Sequence, residues 1–178
     1  PILDELNSHM VDGIIYIAGH ARKINCFPEN FGTPAVMAYA YDQNPMVSAV
    51  LPDDETSAYQ MTRYLIRKGH KKIALLAGRE DNLHTRRRLK GYQNALFDAQ
   101  ILYNPRLVRY VDWNKPSGYQ ETKRLLKEDI TAIFCMADTI AGGVYQYLDE
   151  QGLRAGRDVS VVGFDNQVLS EYMIPGLT

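Results

Sequence analysis

The sequence predicts an α/β fold in which parallel sheets carry helices on both faces. Two observations lead to it. The stretch from Asp158 to Asn166 reads D-V-S-V-V-G-F-D-N. Its β-branched run Val159, Val161, Val162 is too short for a helix and too apolar for a strand wetted on one face, so it belongs in a parallel sheet buried on both sides. From Ile73 onward, short apolar runs alternate with segments of helical period. That β-α-β-α-β-α-β order requires parallel strands and right-handed crossovers.

Taken in order, Ile14 to Ile17 reads as a short buried strand. Ala35 to Tyr39 and Val47 to Leu51 are further strands, separated by the turn Asp42-Gln43-Asn44-Pro45. Asp53 and Asp54 supply N-cap chemistry for a helix from Glu55 to Lys68, in which Ala58, Met61 and Leu65 share a face and Gly69 stands at C′. Ile73 to Leu76 is a strand. A helix follows from about Arg86, with Leu89, Tyr92, Leu96 and Ala99 at helical spacing. Leu107 to Val111 is a strand and Ser117 a cap for the next helix. Ala132 to Met136 is a strand, Asp138 the cap of the helix ended by Gly152, and Val159 to Phe164 the last strand.

The chain has 178 residues, 46% of them hydrophobic and 23% charged, with a net charge of −1. This is globular composition without the basic excess that a nucleic-acid contact surface needs. Cys26 and Cys135 lack metal or CxxC spacing and read as core residues of a protein in a reducing compartment. No apolar run approaches the ~18 residues of a membrane span and no signal peptide is visible, so no membrane partner and a cytoplasmic location are expected. Sequence motifs for catalysis are missing: no G-x-S-x-G, P-loop, G-x-G-x-x-G or H-E-x-x-H occurs, and no cofactor or metal is expected.

Three loops follow strands in the second half. They carry Asn82, His84 and Arg88, then Trp113, then Asp165. The carboxyl ends of parallel strands face one way, so these side chains can meet on one rim, where α/β sheets bind ligands. Trp offers a flat apolar face and Arg and Asp bind hydroxyls, a combination suited to a polyol. Each has a plainer reading: Arg88 on a solvated charged face, Trp113 covering the sheet edge, His84 at the surface and Asp165 as a cap.

The stretches Tyr64 to Gly78, Arg88 to Leu96, Thr131 to Gly143 and Gly152 to Asn166, with V-D-G-I-I near the start and I-P-G-L-T at the end, resemble the effector-binding core of lactose-repressor (LacI/GalR-type) transcription regulators. The resemblance implies a periplasmic-binding-protein-like fold of two doubly wound parallel-sheet subdomains, the first incomplete. Residues 1–69 would be the partial N-terminal subdomain and 70–178 the C-terminal one. It implies a small-molecule effector, a sugar by the Trp113 position, gripped by Arg88 and Asp165 and tuned by Asn82 and His84. Ala137 stands where the family commonly has Asn, so a frequent hydroxyl-binding side chain is absent. It also implies operator DNA bound through a helix-turn-helix expected before Pro1, a returning segment after Thr178, and a homodimer. Leu169, Tyr172, Met173 and Ile174 are the expected dimer interface, an apolar run that would otherwise pack back on its own sheet. A periplasmic-type sugar-binding protein of a transport system shares the fold and is the alternative.

Overall fold

A computed structural model describes residues 2–178, apart from the side chains of residues 20 and 21. The chain divides into two compact units, one ending at Asp53 and the other spanning Asp54–Thr178. In the first, α1 (Ile2–Ser8) precedes three strands, β1 (Ile14–Lys23), β2 (Ala35–Tyr41) and β3 (Ser48–Val50), paired in that order and all parallel. Ile14, Phe27, Met37, Ala40 and Val47 form its core, with Leu3 and Leu6 of α1 against them. β1 is longer than expected and is covered on one face only: Ile15 and Ile17 are 72% and 75% exposed. The Asp42 turn is held by its carboxylate, which accepts from the amides of Cys26, Phe27 and Asn44.

The second unit runs α2 (Asp54–Arg67), β4 (Ile73–Ala77), α3 (Leu83–Asp98), β5 (Val108–Tyr110), α4 (Lys115–Leu125), β6 (Ala132–Cys135), α5 (Asp138–Glu150), β7 (Ser160–Val162) and the short α6 (Val168–Glu171). Its sheet has the order β5-β4-β6-β7, all parallel. Successive residues of a strand point to opposite faces, and both faces are apolar. Ile73, Leu75, Ala132 and Phe134 pack beneath α2 and α3 with Leu65, Tyr92 and Leu96. Ala74, Leu76, Ile133 and Cys135 pack beneath α4 and α5 with Leu125, Ile140 and Leu148. This is the doubly wound arrangement that the valine run and the alternation predict.

The unit boundary falls between Asp53 and Asp54 rather than at Gly69-His70 as expected from the sequence. The reason is packing: α2 lies against α3, and its Ala58 and Leu65 are buried in the second unit's core. Gly69 does end α2 with φ +96°, as its C′ position predicts. Gly91 lets the two helices approach, since a Cβ there would lie 2.1 Å from the carbonyl oxygen of Glu55.

Two caps differ from expectation. Asn114 caps α4 by accepting from the amide of Ser117, whereas Ser117 itself donates back to the carbonyls of Asp112 and Asn114. Asp138 makes no capping bond within α5. Its carboxylate reaches across to the loop after β7, accepting from the amides of Phe164 and Gln167.

Candidate functional site

Helix α3, which follows β4, and the loops after β5 and β7 bring Arg88, Trp113 and Asp165 together at the carboxyl ends of the strands. Arg88 lies on the buried side of α3 and is only 4% exposed, so it is no member of a solvated charged face. Its Nε donates to Oδ1 of Asp54 (2.8 Å) and its Nη1 to the carbonyl of Met136. Its Nη2 lies 3.7 Å from Oδ1 of Asp165. The guanidinium rests on the ring of Phe164, 3.5 Å from the centroid, with the Trp113 ring 6.0 Å away. Both rings offer a π-face to the cation.

Trp113 is half-buried and packs against both cores of the second unit. Gly78, the residue after β4, makes room for it: a Cβ there would lie 1.9 Å from the indole ring. Asp165 sits in a strained turn, with φ +95° followed by Asn166 at +50°. Non-glycine residues rarely adopt such angles, and they persist where surrounding structure holds them. Here the holder is Asp138, whose carboxylate binds amides on both sides of the turn. Burial, opposed by those two amides and reinforced by the charge of Asp165, pushes the Asp138 carboxyl up.

The remaining expected rim residues behave differently. Asn82 is the N-cap of α3, accepting from the amides of His84 and Thr85. His84 points inward, 6% exposed, with Nδ1 2.6 Å from Oδ2 of Asp54. Asp54 is therefore more than the helix-start residue that sequence spacing suggests. It is 1% exposed and receives both His84 and Arg88. Burial pushes its carboxyl up, but the hydrogen bonds and charges of His84 and Arg88 outweigh this and hold its pKa below the usual value. Asp54 and Phe164 are the site residues that sequence reasoning missed. No local pattern marks a pairing across 34 positions.

Of the expected interface residues, Leu169, Tyr172 and Ile174 are 42%, 77% and 93% exposed, whereas Met173 is buried in the core beneath α5. Two hollows open at the carboxyl ends of the strands. One, of about 1010 Å³, is lined by Arg79, Asp81, Thr85, Tyr110, Asp112 and Gln120. The other, of about 250 Å³, lies beside Asp165 and Asn166 with Ser57 and Met61. Among the described residues no group of three or more His, Cys, Asp or Glu could hold a metal ion, and no helix is long and apolar enough to cross a membrane.

Residues 2–172 match the family described as periplasmic binding proteins and sugar binding domain of the LacI family. The chain belongs to this family. It is 32% identical to the ribose operon repressor of Haemophilus influenzae over 99% of its own length and 54% of that protein. Among solved structures it resembles a LacI family transcriptional regulator of Enterococcus faecium with bound ribose (29% identity, TM-score 0.77, 99% of this chain and 67% of that one). It resembles equally a complex of the transcriptional regulator CelR with cellobiose (28% identity, TM-score 0.77, 99% and 55%). The chain spans about half the length of the curated relatives it matches. Membership fits the periplasmic-binding-protein-like fold and the two parallel-sheet units described above.

Proposed function

We propose that this chain is the effector-binding and dimerising core of a LacI-type transcriptional regulator. A sugar bound at the rim of Arg88, Trp113 and Asp165 would control operator DNA binding through cleft closure between two subdomains. The observation that carries the reading is the guanidinium of Arg88, held on the inner side and facing an exposed carboxylate and an indole ring at the strand ends. Charge-assisted donors and acceptors beside an aromatic face recognise hydroxyl groups and C–H faces together. On this reading the protein is cytoplasmic, performs no catalysis and needs no cofactor. It acts as a homodimer with Leu169, Tyr172 and Ile174 in the contact. Asn82 and His84 would serve the site from behind as cap and support. The periplasmic transport reading shares the fold, but the named relatives are a repressor and two transcriptional regulators, which favours the regulator.

The test is a melting-shift panel of sugars, including D-ribose and cellobiose, on the full-length protein. A sugar that raises the melting temperature should lose about 2 kcal/mol of affinity in Asp165→Asn, the worth of a charge-assisted hydrogen bond. Trp113→Ala should weaken it as well. Arg88→Ala is a poor probe, because it leaves the buried Asp54 carboxylate with His84 alone and costs stability first. Shifts unchanged in both Asp165→Asn and Trp113→Ala would remove the rim from the site.

A further inference from the structure

We propose that Asp54 is a positioning residue for Arg88: the first residue of α2 sets the angle at which the guanidinium is offered to a ligand. The proposal rests on reading the rim as the ligand site. Arg88 has three nitrogens, and two are committed to protein, Nε to Asp54 and Nη1 to the Met136 carbonyl. Only the Nη2 edge is turned toward Asp165. Without Asp54 the guanidinium would keep one hydrogen bond to protein, from Nη1 to the Met136 carbonyl, and side-chain torsions could tilt it about that bond over the Phe164 ring. The Asp54 carboxylate removes that freedom, since Nε and Nη1 then have fixed partners in two directions.

The clamp is itself clamped. Oδ2 of Asp54 lies 2.6 Å from Nδ1 of His84, one turn before Arg88 on α3, so the carboxylate plane cannot rotate about its bond to Cβ without losing a partner. A carboxylate bound at both oxygens and shielded from water holds its orientation better than one bound once. Asp54 is also where the second unit begins. The backbone that leaves the first unit is therefore tied by its next side chain to the arginine of the rim. A displacement of the first turn of α2 is delivered to Arg88 through one ion pair.

A purely structural role, stapling α2 to α3, predicts something different, and three variants of the full-length protein separate the two. Asp54→Asn keeps the shape but lacks the charge. Asp54→Glu keeps the charge but places it one methylene farther out. His84→Gln frees the second oxygen. Two readouts are taken on folded protein: the ¹⁵N–¹H resonance of Arg88 Nε in arginine-labelled samples, and affinity for D-ribose and cellobiose by calorimetry. Positioning predicts that Asp54→Glu recovers much of the melting temperature lost in Asp54→Asn while both lose about tenfold or more in sugar affinity, the scale of one misplaced charge-assisted hydrogen bond. It also predicts a displaced, faster-exchanging Arg88 Nε–H in both. A wild-type Nε–H resonance together with wild-type affinity in Asp54→Asn would overturn the proposal. If Asp54→Asn does not fold, His84→Gln decides by the same two readouts. If wild-type protein binds neither sugar, the ligand reading loses its support, and the Arg88 resonance alone judges the clamp.

Discussion

Asp54 gives the second unit a buried carboxylate with two donors and almost no water, and this has a consequence for acid stability. Burial disfavours its charged form, yet His84 and Arg88 hold its pKa below the usual carboxylate value. The folded state therefore binds this proton less tightly than the unfolded state, whose carboxyl titrates near ~3.9. Stability from this group is complete above the unfolded value and is lost as pH falls through the depressed folded value. Melting temperatures measured from pH 7 down to about pH 3 should fall in the wild type, and the fall should be shallower in Asp54→Asn. Removing the carboxylate altogether, as in Asp54→Ala, should cost about 3–5 kcal/mol at neutral pH, because Arg88 is left buried without its partner. Chemical denaturation checks the size. A loss under 1 kcal/mol would mean that water enters and replaces the carboxylate.

At the scale of elements, α2 and α3 meet so closely that their backbones leave no room for a side chain at Gly91, where a Cβ would stand 2.1 Å from one Glu55 backbone atom and 2.8 Å from the Tyr59 amide nitrogen. Backbone atoms cannot step aside as a side-chain end can, so Gly91→Ala should destabilise by about 1–3 kcal/mol through forced separation of the helices. A stability within 0.5 kcal/mol of wild type would show that α2 can shift without cost. The segment around α6 gives a sharper pair. Met173 is buried beneath α5 while Tyr172 is mostly exposed. Met173→Asp should therefore lower the melting temperature by burying a charge, whereas Tyr172→Asp should leave folding intact and, on the proposed function, loosen the dimer. Sedimentation of the two variants distinguishes them. Most elements are legible in the sequence because both periods are clean: Ile133 and Phe134, like Val161 and Val162, point to opposite faces of a sheet buried on both sides, and Ala58, Met61 and Leu65, like Leu89, Tyr92 and Leu96, recur at helical spacing. The convergence of Arg88, Trp113 and Asp165 is legible for the same reason, since parallel strands deliver their loops to one end. The roles of Asp54, His84 and Asp138 are not. Each acts on a partner 26 to 34 positions away, chosen by helix packing rather than by local spacing.

For the molecule as a whole, the proposed function asks the ligand to change operator affinity, and thermodynamics limits how. A ligand shifts an equilibrium between two closures only by the difference in its affinity for them. A change of about 100-fold in operator affinity requires ~2.7 kcal/mol of coupling, and operator DNA must then change sugar affinity by the same factor. The geometry suggests where such a difference could be felt: Asp54 opens the second unit and is bonded to Arg88, so two positions of the α2 start would offer two orientations of the guanidinium to the same sugar. The expected outcome is reciprocal and specific to that path. Sugar affinity of the full-length wild-type protein, measured with and without saturating operator, should differ by the factor by which sugar changes operator affinity. In His84→Gln, where the carboxylate keeps Arg88 but loses its second anchor, both factors should shrink together while some sugar affinity remains. Equal sugar affinities with and without operator in the wild type would mean that the rim does not regulate DNA binding, and the periplasmic transport reading would then move ahead.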